Sequence, residues 1–119
     1  MNKLISVIII SLIAISLSAQ EMTAGIWLTG EENTLIETYQ KDDLWYGKII
    51  SSDNPKAKIG KIILKDFVKA DDKWEGELYA AKRDKLMDAV IIPSFDELKI
   101  TVYAGFIKKK LTWTRVENN

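Results

Sequence analysis

Short runs of β-forming residues, separated by clusters of turn residues, follow one another along most of the chain. The clusters are rich in Asp, Asn, Gly and Pro, which favour turns because Asp and Asn bond their own backbone and Pro fixes φ. No stretch keeps a 3.6-residue apolar period. The pattern predicts strands at residues 25–29, 34–40, 44–51, 61–68, 73–80, 86–92, 97–104 and 110–117.

Two of these runs alternate clearly between an apolar and a polar face. In run 73–80, Trp74, Leu78 and Ala80 share one face. Run 97–104 repeats the pattern, with Leu98, Ile100, Val102 and Ala104 on one side. One buried face and one wet face is typical of an antiparallel sheet.

Run 86–92 alternates less cleanly. Asp88 shares a face with Leu86, Val90 and Ile92. If that apolar face is buried, Asp88 marks either a β-bulge or a polar group inside the structure.

Eight short strands in one chain predict an all-β fold, a small eight-stranded antiparallel up-and-down barrel. Closure removes the exposed edges that promote aggregation. A two-sheet sandwich is the alternative. The interior of such a barrel is either filled by side chains or wide enough for one small ligand.

The first nineteen residues have the order of a secretory signal peptide. Lys3 is followed by an apolar run from Leu4 to Leu17, and small residues come next. The run is shorter than the about 20 residues of a spanning helix. We therefore expect residues 1–19 to be removed after Ala19 or Ser18, which leaves one domain, 20–119, without a membrane span. An uncleaved membrane anchor is the alternative. The expected address is the periplasm, or alternatively the medium.

Charge and composition exclude several functions. The chain has 17 basic and 17 acidic residues, and removal of Lys3 with the leader leaves a net charge of −1. We therefore expect no long-range pull toward nucleic acid or anionic lipid, and no nucleic-acid partner. There is no Cys and no His, so we expect no disulfide, metal or other cofactor.

The two ends of the domain carry a matching pair of motifs, Gly25-Ile26-Trp27 and Trp113-Thr114-Arg115. First and last strands are neighbours in a closed barrel, so the Arg115 guanidinium can lie over the Trp27 indole. Such a cation–π contact is worth about 0.5–2 kcal/mol. We interpret Gly25, Trp27, Trp113 and Arg115 as structural residues that close the barrel, with ligand contact as the alternative. The arrangement resembles the closure of lipocalin and calycin barrels.

An ordered series of motifs covers nearly the whole predicted domain. It resembles the family domain of unknown function 2147 (DUF2147), small exported bacterial proteins with a calycin-like barrel and no settled activity. The resemblance therefore implies a fold and an address, but not an activity. The motifs are Gly25-Ile26-Trp27, Tyr46-Gly47-Lys48-Ile49, Asp53-Asn54-Pro55, Gly60, Trp74-Glu75-Gly76, Leu78-Tyr79, Leu98-Lys99-Ile100, Tyr103-Ala104-Gly105 and Trp113-Thr114-Arg115-Val116.

Polar and aromatic residues supply the candidate ligand site. Asp53 and Asn54 suit a polar ligand at a barrel mouth, with an Asx turn before Pro55 as the alternative. Aromatic side chains line ligand pockets but also fill small cores. Trp45 and Tyr46 are adjacent, so we expect them on opposite faces. The ligand-binding candidates are Trp45, Tyr46, Asp53, Asn54, Trp74, Tyr79 and Tyr103.

Three functional hypotheses follow. The first is a non-catalytic barrel that holds a small apolar or amphipathic molecule. The second is an envelope protein-interaction or inhibitor domain with a filled core, its partner unknown. The third is a carboxylate-based hydrolase, although no catalytic constellation is evident. Lys108, Lys109 and Lys110 form a basic run that we interpret as solvated and as protection against edge pairing. Contact with lipid head groups or with an acidic partner is the alternative.

Overall fold

The computed structural model describes residues 21–116, and the predicted signal peptide lies outside them. The described chain forms eight strands and closes into one antiparallel barrel in sequence order, from β1 to β8. The eight-stranded barrel is confirmed, and the sandwich alternative is wrong. The strands are β1 (Gly25–Leu28), β2 (Leu35–Lys41), β3 (Leu44–Ser51), β4 (Ile62–Ala70), β5 (Lys73–Ala80), β6 (Lys85–Pro93), β7 (Glu97–Ala104) and β8 (Ile107–Arg115).

The up-and-down order gives the barrel two distinct ends. The N-terminal end, where β1 begins, carries the turns at residues 42–43, 71–72 and 94–96. The opposite end carries the connections at 29–34, 52–61, 81–84 and 105–106. Asp42 and Asp43 both have positive φ, at 53° and 68°. These angles match a two-residue hairpin turn whose twist suits the flanking strands.

The alternation of the strands fills the inside of the barrel. In β5 the apolar face of Trp74 and Leu78 is buried, and in β7 the face of Leu98, Ile100 and Val102 is buried, as the pattern predicted. Aromatic and aliphatic side chains from all eight strands meet in one cluster. Trp27, Phe67, Ile91 and Leu98 have no exposed surface. The interior is a packed core, which is one of the two states expected of a barrel this size.

The structure corrects the interpretation of Asp88. Its side chain is exposed, and β6 pairs with β5 and β7 without a register shift. The buried face of β6 consists of Met87, Ala89, Ile91 and Pro93. Neither a bulge nor an internal polar group exists at Asp88, because the face that looked apolar in the sequence, with Leu86 and Ile92, is the outer one.

Register shifts occur instead around β4. They interrupt the β3–β4 pairing and the β4–β5 pairing between Lys65 and Val68. Asp66 lies within this interval and has a positive φ of 56°. Such an irregularity changes the direction in which a side chain points. The side chain affected here is the carboxylate of Asp66.

Candidate functional site

The barrel is sealed where β1 meets β8. Trp27 and Arg115 are paired residues on these strands. The Arg115 guanidinium lies 4.4 Å from the centroid of the Trp27 ring and 5.1 Å from that of Phe95. A β-carbon on Gly25 would collide with Arg115 Nη1, so glycine leaves room for the guanidinium. The Trp113 side chain is buried in the same core.

Hydrogen bonds hold both partners of this closure. Arg115 Nε donates to the Phe95 carbonyl at 2.6 Å, and Arg115 Nη2 donates to Thr23 Oγ1 at 2.6 Å. Trp27 Nε1 donates to the buried Thr38 Oγ1 at 2.9 Å. Because Arg115 Nε and Nη2 both donate to the protein itself, the geometry is that of a structural seal. A cleft of about 600 Å³ runs along its outer side, lined by Gly25, Glu37, Phe95 and Arg115 among others.

We expect Arg115→Ala to lower the free energy of unfolding by about 1–2 kcal/mol, because the cation–π contact and two side-chain hydrogen bonds are lost. Urea denaturation followed by tryptophan fluorescence measures the change. Arg115→Lys is the control. A lysine keeps the charge but lacks the planar guanidinium that donates to both Phe95 and Thr23. Arg115→Lys should therefore lower the free energy of unfolding by less than Arg115→Ala does. A denaturation curve identical to that of the wild type would contradict the contact.

The predicted ligand residues separate into an inner and an outer group. Trp45 and Trp74 are buried in the core, whereas Tyr46 is half-buried on the outer face. Adjacent Trp45 and Tyr46 thus point to opposite faces, as expected. Trp74 Nε1 is buried without a hydrogen-bond partner in the protein. The inner group occupies the space that a ligand in the lumen would need.

Asp53 and Asn54 lie on the β3–β4 connection at the opposite end. Asn54 Oδ1 accepts a hydrogen bond from the Lys56 backbone N–H at 2.9 Å, which is the Asx turn considered above. Asp53 Oδ2 accepts from Asn33 Nδ2 at 2.7 Å. The bond between Asp53 and Asn33 ties the connection to the β1–β2 turn. A ligand-binding role for the two residues stays a prediction.

Tyr103 stands apart from the other candidates, on the outer face of β7. Its ring is partly exposed, and Lys108 Nζ lies 5.9 Å from its centroid. Tyr103 is paired with Asp88 on one side and with Lys108 on the other. It therefore belongs to the neighbourhood of the β7–β8 turn.

The structure brings Tyr46 and Tyr79 together on the outside of the barrel. They line an open groove with a cavity volume of about 420 Å³, which we call the tyrosine groove. Tyr46 lies on β3 and Tyr79 on β5, so the groove crosses β4. Its lining consists of Tyr46, Lys61, Ile62, Lys65, Tyr79 and Leu86.

Both tyrosine hydroxyls are held by carboxylates. Tyr46 donates to Asp66 Oδ1 at 2.9 Å, and Tyr79 donates to Asp84 Oδ1 at 2.5 Å. The hydrogen bond to Asp66 raises the pKa of Tyr46, and that to Asp84 raises the pKa of Tyr79, because a phenolate beside a carboxylate is disfavoured. Both phenols are therefore neutral donors at physiological pH.

Cations and apolar side chains complete the groove. Lys61 Nζ lies 4.1 Å from the centroid of the Tyr79 ring, within cation–π range. Ile62 and Leu86 are both exposed by more than a third of their surface. At its Tyr46 side the groove continues into a stack of Tyr39 on Tyr46, with ring centroids 5.7 Å apart. The groove thus combines aromatic faces, amines and apolar side chains.

The sequence prediction missed most of the lining. Tyr79 carried a usable signal, since the alternation of run 73–80 placed it on the polar face with Glu75 and Glu77. Leu86 joins the site only because it is paired with Tyr79 across β5 and β6. No pattern in the sequence indicates that partner.

The described residues carry two further findings. Within residues 21–116, no group of three Asp or Glu residues is arranged to hold a metal ion. Over the same range, no helix is long and apolar enough to cross a membrane.

These features define a class: a small closed antiparallel barrel, filled inside and sealed by an arginine over a tryptophan. The chain belongs to the family DUF2147, described as an uncharacterized protein conserved in bacteria, whose model matches residues 25–115. That match confirms the resemblance carried by the ordered motifs. No curated protein and no solved structure matches the chain.

Proposed function

We propose that this chain is a non-catalytic binding domain whose target binds on the outside of the barrel. The observation that carries the proposal is the filled interior, in which Trp45 and Trp74 occupy the place of a lumenal ligand. The proposal keeps the ligand class of the first hypothesis, a small apolar or amphipathic molecule. It moves the binding site from the inside of the barrel to the outside. The tyrosine groove is the outer site with the most suitable chemistry.

The groove suits a small amphipathic molecule with an anionic group. Its volume of about 420 Å³ falls in the range of roughly 300–1,000 Å³ typical of ligand pockets. Lys61 and Lys65 supply cations for the anionic group, and Ile62 and Leu86 supply apolar contact. Asp66 and Asp84 repel that group less than free carboxylates would, because each accepts a phenolic hydrogen bond.

The proposed place of action is outside the cytoplasm, in the periplasm or alternatively the medium. The leader pattern of residues 1–19 supports export. Cells that express the full chain should then yield a protein beginning near Gln20, as read by intact mass. Full-length protein beginning at Met1 would contradict export with cleavage.

A protein-interaction domain is the second candidate. A filled core with exposed aromatic and apolar side chains favours it, because such patches mark interaction sites. Tyr39, Tyr46 and Tyr79 supply the residue type that is enriched in binding hot spots. The hydrolase hypothesis has no comparable support, since the two carboxylates nearest the groove are engaged by tyrosines.

The test is native mass spectrometry of the protein isolated from its own host, with solvent extraction of any bound molecule. We expect a stoichiometric small molecule that is retained by Ile92→Ser and lost from Leu86→Ser. These are matched variants, because both residues are exposed on the outer face of β6 but only Leu86 lines the groove. A bare protein mass, before and after incubation with a host lipid extract, would contradict the small-molecule proposal and favour the protein-interaction candidate.

A further inference from the structure

The β7–β8 turn is an apolar tip that projects from the opposite end of the barrel. Phe106 is fully exposed, and the neighbouring Ile107 keeps 63% of its surface exposed. Every residue from 105 to 110 is exposed. Scattered surface hydrophobics are normal, but two adjacent ones at the apex of a hairpin, followed by three lysines, are a distinct arrangement.

The tip projects because β1 is too short to cover β8. β1 pairs with β8 only at Trp27–Arg115 and Leu28–Thr114. Within residues 21–116, the first half of β8 therefore pairs with β7 alone. Lys109, whose side chain faces inward by its pairing with the buried Val102, is exposed all the same.

Basic side chains surround this tip on two neighbouring turns. Because β6 pairs with β7, the β5–β6 turn lies beside the β7–β8 turn. These two turns and the first residues of the strands that follow them carry Lys82, Arg83, Lys85, Lys108, Lys109 and Lys110. The acidic residue among them, Asp84, accepts the hydrogen bond from Tyr79.

The turns of the N-terminal end are acidic. Its three turns contain Asp42, Asp43, Asp71, Asp72 and Asp96 and no basic residue. Although the chain is nearly neutral as a whole, the turns of the N-terminal end are acidic, whereas the residues around the tip are mostly basic. In the field of an anionic surface, such a molecule turns its basic end toward the surface.

We infer that the opposite end of the barrel docks on an anionic lipid surface, with Phe106 and Ile107 inserted below the headgroups. The methylene chains of the lysine and arginine side chains cross the boundary of the hydrocarbon region, while their charged groups stay at the lipid phosphates. On the far side of the tip, the β1–β2 turn carries Glu31 and Glu32. The barrel therefore tilts, so that the β5–β6 turn lies nearer the surface.

A lipid surface fits this tip better than an acidic protein. The two apolar side chains stand at the apex of a convex hairpin, and a protein partner would need a matching pocket to bury them. A bilayer interface receives a protruding side chain anywhere on its surface. The basic residues flank the apex on two turns, which suits a continuous sheet of phosphates.

The test is co-sedimentation of the processed protein with vesicles of phosphatidylcholine containing about one third phosphatidylglycerol, against pure phosphatidylcholine. We expect binding to the anionic vesicles that weakens as salt is added. Phe106→Ser with Ile107→Ser should reduce binding at least about tenfold. Replacing Lys108, Lys109 and Lys110 together by Gln should reduce it about a hundredfold, since each lysine near the surface is worth about fivefold.

Matched controls separate this end from the rest of the surface. Ile92→Ser removes an exposed apolar side chain near the N-terminal end, and Gln at Lys41, Lys69 and Lys99 removes the same charge there. Both should bind nearly as the wild type does. Equal losses in the control and tip variants, or no binding to anionic vesicles at low salt, would overturn the proposal.

Insertion of the tip is read directly from Phe106→Trp and brominated lipids. The four native tryptophans are buried in the core, so a tryptophan at position 106 is the one that the bromines quench. We expect quenching that requires anionic lipid, and its absence in a variant that still binds would overturn insertion. The inference does not rest on the tyrosine groove, because neither Phe106 nor Ile107 nor the three lysines after them line it.

Discussion

Replacing Trp27 by Ala should lower the free energy of unfolding by about 3–5 kcal/mol, the usual cost of deleting a large aromatic ring from a core. The ring has no exposed surface and is covered by Arg115 at 4.4 Å. The change also leaves the buried Thr38 hydroxyl without the indole N–H. A domain this small has a total stability of about 5–15 kcal/mol, and there is no disulfide to compensate.

Urea and thermal denaturation measure this loss, with the three remaining tryptophans as the fluorescence signal. The melting temperature should fall by at least about 12 °C, given about 4–8 °C per kcal/mol for a domain of this size. Trp27→Phe is the control, since it keeps an aromatic face under Arg115 and loses the hydrogen bond to Thr38. It should cost less than half as much. A loss of under about 1 kcal/mol for Trp27→Ala would show that the ring does not seal the core.

The fold could be predicted largely because the strands alternate. Runs 44–51, 73–80 and 97–104 coincide with β3, β5 and β7 in their bounds. The clearest error is at β8, which begins at Ile107 and not at residue 110. Its first residues show no buried face, since β1 is too short to cover them, so a strand segment with both faces exposed resembles a polar turn in the sequence.

The candidate site could be predicted only in part. Residue type selected Tyr46 and Tyr79, but it selected Trp45 and Trp74 equally, and those two fill the core. The groove depends on cross-strand register, which pairs Tyr79 with Leu86. It also depends on the irregularity at Asp66, whose carboxylate reaches Tyr46. Neither the register nor the irregularity follows from local sequence patterns. Alternation shows which face of a strand a residue lies on, but not which residue of the next strand lies beside it.

The charge polarity of the barrel was also invisible in the composition. A net charge near zero argued against long-range attraction of a charged partner. For nucleic acid, the expected absence of binding stays a prediction. The up-and-down topology sorts the turns alternately to the two ends, however, and the acidic turns at 42–43, 71–72 and 94–96 fall on the same end. A neutral total therefore conceals a polarised molecule.

Gly76→Ala should destabilise the barrel by about 1–3 kcal/mol, the usual cost of overpacking a core. A β-carbon at this position would lie 2.7 Å from Phe67 Cδ1 and 2.8 Å from the Lys65 carbonyl oxygen. Phe67 is fully buried and cannot swing away, and the carbonyl belongs to the backbone. The glycine marks a close approach of β4 to β5, at the register shift between Lys65 and Val68.

A double-mutant cycle with Phe67→Ala shows whether the ring causes that cost. Alanine removes both Phe67 atoms nearest the new methyl, Cγ and Cδ1, so Gly76→Ala should cost less in the Phe67→Ala background, with a coupling of at least about 0.5 kcal/mol. Rescue should be partial, because the Lys65 carbonyl stays in place. Glu75→Ala, on the exposed face of the same strand, should change stability by less than about 0.5 kcal/mol. Additive effects of the two core changes would mean that Phe67 does not pack over Gly76, and the register shift in β4 would then need another cause.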